Sequence, residues 1–162
     1  MSSFTAPCPG IVNKLKCWVG IKDPSMSKGD VFVALWDTGA TNSAVTEKVA
    51  KALGLVPAGK TKVHGVNGLS EANFYVVEII LPGNMHFVRN VTECKSAGDW
   101  DVLVGMDIMS FGDFSVSNFN GSTTFSFRVP SRAVIDYVAE ERAAVAAAQA
   151  ANPPAPPEGQ NS

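Results

Sequence analysis

Polar and apolar residues alternate in short bursts along most of this chain, and each burst ends in a cluster of Gly, Pro, Asn, Asp or Ser. That rhythm predicts short strands joined by tight turns. Lys14 to Ile21 reads as a first strand, and the turn residues of 23–30 reverse the chain after it. Val31 to Trp36 has no polar position, which predicts a strand buried on both faces. Asp37 follows directly, so this strand is expected to carry a carboxylate to the centre of the molecule.

Thr46 is placed to cap a short helix running through Leu53, because Val45, Val49 and Leu53 recur every four residues and Gly54 stands as the stop. Lys60 to His64 and Glu71 to Leu81 then read as strands joined across Gly65-Val66-Asn67-Gly68, with His64 as a solvent-facing turn residue at the base. Asn67-Gly68 is the hairpin signal, since such turns need residues that tolerate positive φ. Pro82-Gly83-Asn84 makes another turn, Met85 to Cys94 another strand, and Ser96 to Asp101 a polar loop. Val102 to Val104 is a short apolar strand ending at Gly105, and Met106 to Met109 can form one helical turn. Phe114 and Val116, then Phe125, Phe127 and Val129, alternate on either side of Asn120-Gly121 and predict a closing hairpin.

This divides the chain into a loose N-terminal arm (1–13), a β domain (14–130), an appended helix (131–151) and a disordered Pro-rich tail (152–162). The helix rests on Val134, Ile135, Val138 and Val145 in an alanine-rich background. The tail rests on composition alone. At 162 residues the chain is too short for two comfortable domains, so a site that needs two similar halves must be completed by a second copy.

A net charge of -2 with 17% charged residues gives no basic field, which argues against nucleic acid as a partner. No apolar stretch is long enough for a signal peptide or a membrane span, so a cytoplasmic protein without membrane contact is expected. Three widely spaced cysteines, Cys8, Cys17 and Cys94, suggest neither a disulfide framework nor a zinc knuckle. Only His64 and His86 are present, and neither sits in a nucleophile motif. No clustered ligands suggest a metal.

The candidate chemistry is Asp37-Thr38-Gly39-Ala40, continued by Thr41-Asn42-Ser43 and answered later by Val102-Leu103-Val104-Gly105-Met106-Asp107-Ile108-Met109. Asp-Thr-Gly alone is a weak signal, but the apolar strand before it and the second glycine motif after it, in that order, are more specific. The pair resembles the signature of the retropepsin-like aspartic proteases over about residues 14–130. The Gly-x-Asp form of the second motif is closer to the cellular and bacterial branch, the Ddi1-like proteases included, than to the viral one.

The resemblance implies an all-β acid-protease barrel, with one short helix after the second motif and an appended C-terminal helix. It also implies a homodimer in which each subunit contributes Asp37, a polypeptide substrate, and no cofactor. Two carboxylates about 3 Å apart repel by on the order of 4 kcal/mol at an effective dielectric near 20, so the pair holds one proton between them. One Asp37 would then activate a water while its protonated mate polarises the scissile carbonyl.

Thr38 is implied to fix the spacing of the pair from below, Gly39 to admit substrate closely, and Ala40 to line its wall. Gly65, Val66, Asn67 and Gly68 occupy the place of the family's flap. Val104, Gly105 and Asp107 form the second motif. The viral pattern has an Asp–Arg pair where this chain has Thr41 and Met106, so Asp107 is expected to bond locally instead. Trp36 is bulkier than usual and is expected to narrow the site. The rival to an enzyme is a catalytically silent module of the same fold, used for dimerisation or peptide binding.

Overall fold

In the computed structural model the described residues are 2–26, 28–65, 68–95 and 98–151. The chain divides into two units, residues 1–132 and 133–162. The first is built from ten strands, β1 (Ser2–Pro7), β2 (Leu15–Lys22), β3 (Gly29–Trp36), β4 (Ala44–Thr46), β5 (Gly59–Gly65), β6 (Gly68–Leu81), β7 (Met85–Cys94), β8 (Val102–Val104), β9 (Asp113–Ser117) and β10 (Thr124–Val129). Two short helices interrupt them, α1 (Glu47–Leu53) and α2 (Met106–Met109). The all-β expectation therefore holds, and α2 stands directly after the second glycine motif.

Seven strands make one mixed sheet in the order β2-β3-β8-β4-β7-β6-β5, and a further β2–β6 pairing closes six of them into a barrel. Closure runs from Gly20 opposite Ile80 to Lys22 opposite Glu78. Gly20 suits this seam, because an added Cβ would stand 3.3 Å from that of Ile80. The barrel is filled by one side of each strand: Val19 and Ile21 from β2, Ala34 from β3, Val77 and Ile79 from β6, Val91 from β7, and Val102 and Val104 from β8 are all essentially inaccessible.

Placing β8 between β3 and β4 is the feature that builds the site. β3 and β8 run parallel, with Ala34, Leu35 and Trp36 opposite Val102, Leu103 and Val104. β4 pairs antiparallel with the other edge of β8. The loop joining β3 to β4 must therefore pass over the end of β8, which brings Asp37 and Gly105 together.

Several expectations are corrected. The loose arm expected over residues 1–13 contains β1, which pairs antiparallel with β10 from Ser2 opposite Val129 to Pro7 opposite Thr124. Its alternate residue Phe4 turns inward to meet Phe125 and Trp36 at ring-centroid distances of 5.7 and 5.6 Å, and that burial outweighs the cost of ordering the segment. With β9 on the other side of β10, these strands form a second, three-stranded sheet.

β3 is not buried on both faces. Phe32, Ala34 and Trp36 are buried, Val33 and Leu35 only partly so, and Val31 is exposed. The reason is closure of the barrel, which covers one face of each strand. Trp36 faces this core, where its ring stacks on Phe114 and touches Phe125 and Phe127, while its Nε1–H donates to Cys17 Sγ at 3.2 Å. Each fully buried ring of this kind contributes on the order of 2–3 kcal/mol.

Thr46 does occupy the N-cap position of α1, but its hydroxyl caps nothing; Oγ1 is buried and has no hydrogen-bond partner among the described residues. Gly54 ends the helix in the left-handed region at φ 67°, as its stop position requires. Cys8, Cys17 and Cys94 are free thiols. In the second unit, the helix α3 (Tyr137–Ala151) starts at Tyr137 and not at Ser131. Asp136 Oδ1 accepts the N–H groups of Val138 and Ala139 at 3.0 Å each and so fixes the start. The expected tail, 152–162, lies outside the described residues.

Candidate active site

β3 delivers Asp37 to the point where the sheet ladder runs out. The Asp37 N–H still donates to Val104 O at 3.0 Å, which continues the β3–β8 pairing by one residue. The chain then turns tightly: Gly39 N–H donates to Asp37 Oδ1 at 2.8 Å and Ala40 N–H to Asp37 O at 3.2 Å. One carboxylate oxygen is thus fixed by the loop itself. An added Cβ on Gly39 would stand 3.2 Å from that same oxygen, a tight approach that glycine relieves.

The rest of the loop is fastened to the second motif. Met106 N–H donates to Ala40 O at 2.8 Å and Asp107 N–H to Thr41 O at 3.1 Å. Between them sits Ser43, fully buried, whose Oγ accepts from Gly105 N–H at 3.1 Å and donates to Asp107 Oδ1 at 2.7 Å. Gly105 is obligatory on steric grounds: a Cβ there would come within 2.9 Å of the backbone of Ala40 and Asn42. Asp107 also receives Arg89, whose Nε–H donates to its carbonyl oxygen at 3.4 Å and whose guanidinium lies 4.6 Å from the Phe111 ring centroid.

The motif residues face outward from this frame. Asp37 and Ala40 are half-buried, and Thr38 and Gly39 are exposed. The carboxylate expected at the centre of the molecule is therefore at the surface of a single chain, at the edge of a cavity of about 360 Å³ shared with Thr38, Lys14, Phe114 and Val116. The ammonium of Lys14 is paired with Asp99 at 3.3 Å, alongside Lys16 at 2.6 Å. Lys16 first and Lys14 second hold the Asp99 carboxyl down to about 2. No group of three His, Cys, Asp or Glu side chains suited to a metal ion occurs among the described residues, and no helix among them is long and apolar enough to cross a membrane.

The structure thus brings Asp37, Thr38, Gly39, Ala40, Val104, Gly105 and Asp107 into one cluster. The expected flap is a hairpin of β5 and β6 in which Gly65 pairs with Gly68. Gly68 has φ 96°, and Val66 and Asn67 between them lie outside the described residues. His64 belongs to β5, opposite Leu69, and not to the turn. Ser43 and Arg89 were missed by the sequence reading. The local bonding expected of Asp107 is met by Ser43, whose place in the sequence carries no signal of its own.

The sequence model of one protein family, described as aspartyl protease, matches residues 24–108, a span that contains the whole Asp37 loop and the second motif through Ile108. No curated protein matches the sequence. Among solved structures, the chain is similar to the EIAV protease complexed with the inhibitor HBY-793, at 24% identity, with 60% of this chain and 86% of that one covered and a TM-score of 0.47. It is also similar to a retropepsin-like aspartic protease from Rickettsia conorii, at 15% identity, with 78% and 94% covered and a TM-score of 0.48.

Proposed function

Because this chain belongs to the aspartyl protease family, whose model spans just over half of it at residues 24–108, we propose that it is a retropepsin-like aspartic endopeptidase assembled as a homodimer. The observation that carries the proposal is a carboxylate held by a rigid frame yet left half-exposed at the surface of one chain. Asp37 is fixed from behind by Gly39 N–H and by the β8 ladder, while its own face and the neighbouring Thr38 are open. A second copy placed by a two-fold axis would cover that face with an identical one. The Gly-x-Asp second motif, braced here by Ser43, supports the cellular and bacterial branch.

In such a pair the two Asp37 carboxylates share one proton, as aspartic dyads do as a class. The ionised member takes a proton from a bound water, whose oxygen attacks the scissile carbonyl carbon, while the protonated member donates to the carbonyl oxygen. The gem-diol intermediate then collapses: one of its hydroxyls returns a proton to the dyad as the C=O re-forms, the C–N bond breaks, the leaving amine takes the dyad's other proton, and one proton is again shared. Thr38 supports the dyad spacing, Gly39 and Ala40 contact the extended substrate, and the β5–β6 hairpin closes over it.

The test is cleavage of a peptide library by wild type at acidic to neutral pH, with pepstatin sensitivity, beside the solution mass. Asp37→Asn should abolish turnover with the fold and the mass unchanged. A strict monomer, or a wild type that binds peptides but never cleaves them, would overturn the proposal; the second result would make the chain a silent peptide-binding module.

A further inference from the structure

We infer that the cavity beside Asp37 selects an acidic side chain of the substrate, a glutamate, and that Lys14 is the residue that selects it. The inference rests on the protease reading above and names the side-chain chemistry that the same site prefers. Its starting point is the lining of the cavity of about 360 Å³ at Asp37, whose apolar walls come from Leu35, Trp36 and Phe114 among others. Among the described residues that line it, Lys14 is the one cation and Asp37 the one anion.

Lys14 brings more positive charge to that cavity than its surroundings neutralise. Lys14 and Lys16, on either side of Leu15 where the chain enters β2, both reach the same carboxylate, Asp99. Among the described residues, neither ammonium has another carboxylate within ion-pair distance. Lys16 holds one oxygen of Asp99 at 2.6 Å and Lys14 the other at 3.3 Å, so Lys16 is the closer partner and the surplus cation falls to Lys14. Asp37 does not cancel it. In the dyad the two Asp37 carboxylates share a proton and carry a single negative charge, against one surplus cation from each of two subunits. A dimer therefore keeps one uncompensated positive charge at the site.

The lining also selects the occupant. A side chain that enters must lay an apolar stem along Leu35, Trp36 and Phe114 and end in a group that the Lys14 ammonium and the Asn13 amide can receive. Glutamate has both, an aliphatic stem and a carboxylate that accepts charge-assisted hydrogen bonds. Glutamine has the same shape without the charge, and lysine or arginine would meet a like charge. Lys14, Lys16 and Asp99 all keep contact with water, so the preference is modest and salt-sensitive.

The experiment uses peptide sets that carry Glu, Gln or Lys at each position in turn around the scissile bond, at about pH 6, where glutamate is ionised. At one position wild type should prefer Glu to Gln about fivefold in kcat/KM at low salt, and the preference should shrink at about 1 M salt. Ratios between peptides are the readout, so a general change of activity in a variant does not obscure them. Lys14→Gln should bring the Glu-to-Gln ratio at that position to about one, and Lys14→Glu should move the preference to Lys. Asp99→Asn releases Lys14 from its partner and should raise the ratio above that of wild type, a gain that a merely structural lysine would not give. A wild type with no position that favours Glu, or a preference that survives Lys14→Gln, would overturn the inference. So would a Lys14→Gln protein that loses the dimer mass, because the lysine would then serve the contact between subunits. A wild type that cleaves no peptide fails the protease reading separately. The preference is then read from equilibrium binding of the same labelled peptides, as for any variant too slow to assay: the Glu peptide must bind wild type tighter than the Gln peptide by a similar factor and must lose that advantage in Lys14→Gln, and any other outcome overturns the inference.

Discussion

Removing one hydroxyl, in Ser43→Ala, should cost more stability than a small serine suggests. Ser43 is fully buried and its Oγ joins two groups, accepting from Gly105 N–H and donating to Asp107 Oδ1. Gly105 is also buried, so its N–H would be left without a partner at a cost of about 1–3 kcal/mol. Asp107 is half-exposed and can turn to water, so its loss is smaller, about 1 kcal/mol or less. The sum is about 3 kcal/mol, or a fall in Tm of roughly 10 °C for a domain of this size. Urea unfolding followed by tryptophan fluorescence measures it directly. Asp107→Ala and the double variant complete a cycle whose coupling should be about 1 kcal/mol or more. A Ser43→Ala protein within about 0.5 kcal/mol of wild type would refute the claim that this hydroxyl fastens the Asp37 loop to the second motif.

Asp113 should give the protein an acid-sensitive component. Its carboxyl is held well below the ordinary carboxylate range by the Ser131 hydroxyl first, then the Arg132 N–H and the Arg128 guanidinium. A depressed folded pKa means that its contribution is complete above the ordinary value of 3.8 and fades as the pH falls below it toward the lower folded value. Asp113→Asn should therefore lower stability at neutral pH and flatten its decline below about pH 4, measured by thermal melts across that range; parallel curves for the two proteins would count against this. Gly54→Ala, with open space around the new methyl but φ at 67°, should cost about 1 kcal/mol through backbone strain alone, read as a shift in the urea midpoint.

How far the fold could be read from the residues depended on which rule governed each segment. β7, β8, α2 and the turn at Gly54 follow from local pattern, because alternation and glycine placement decide them within a few residues. β1 did not, because Ser2–Pro7 becomes a strand only when β10, from the far end of the domain, supplies its partner. Trp36 was legible only in part: it does line the cavity beside Asp37, but the direction of its ring is set by Phe4, Phe114, Phe125 and Phe127, which arrive from three other strands. At the site, the two motifs were legible as motifs. Ser43 was not, since a buried serine between two loops has no signature apart from the partners that surround it.

The insertion of β8 between β3 and β4 also sets a timetable. Ala34 has its parallel neighbour only once Val102 has been synthesised, and the Asp37 loop has nothing to rest on until Gly105 follows. Contacts this distant in sequence form late, after the long intervening segment has been gathered in. A growing chain emerging from the ribosome thus carries Asp37 through the synthesis of the whole segment up to Gly105 without the scaffold that fixes it, and the ordered loop arrives among the last features the domain acquires.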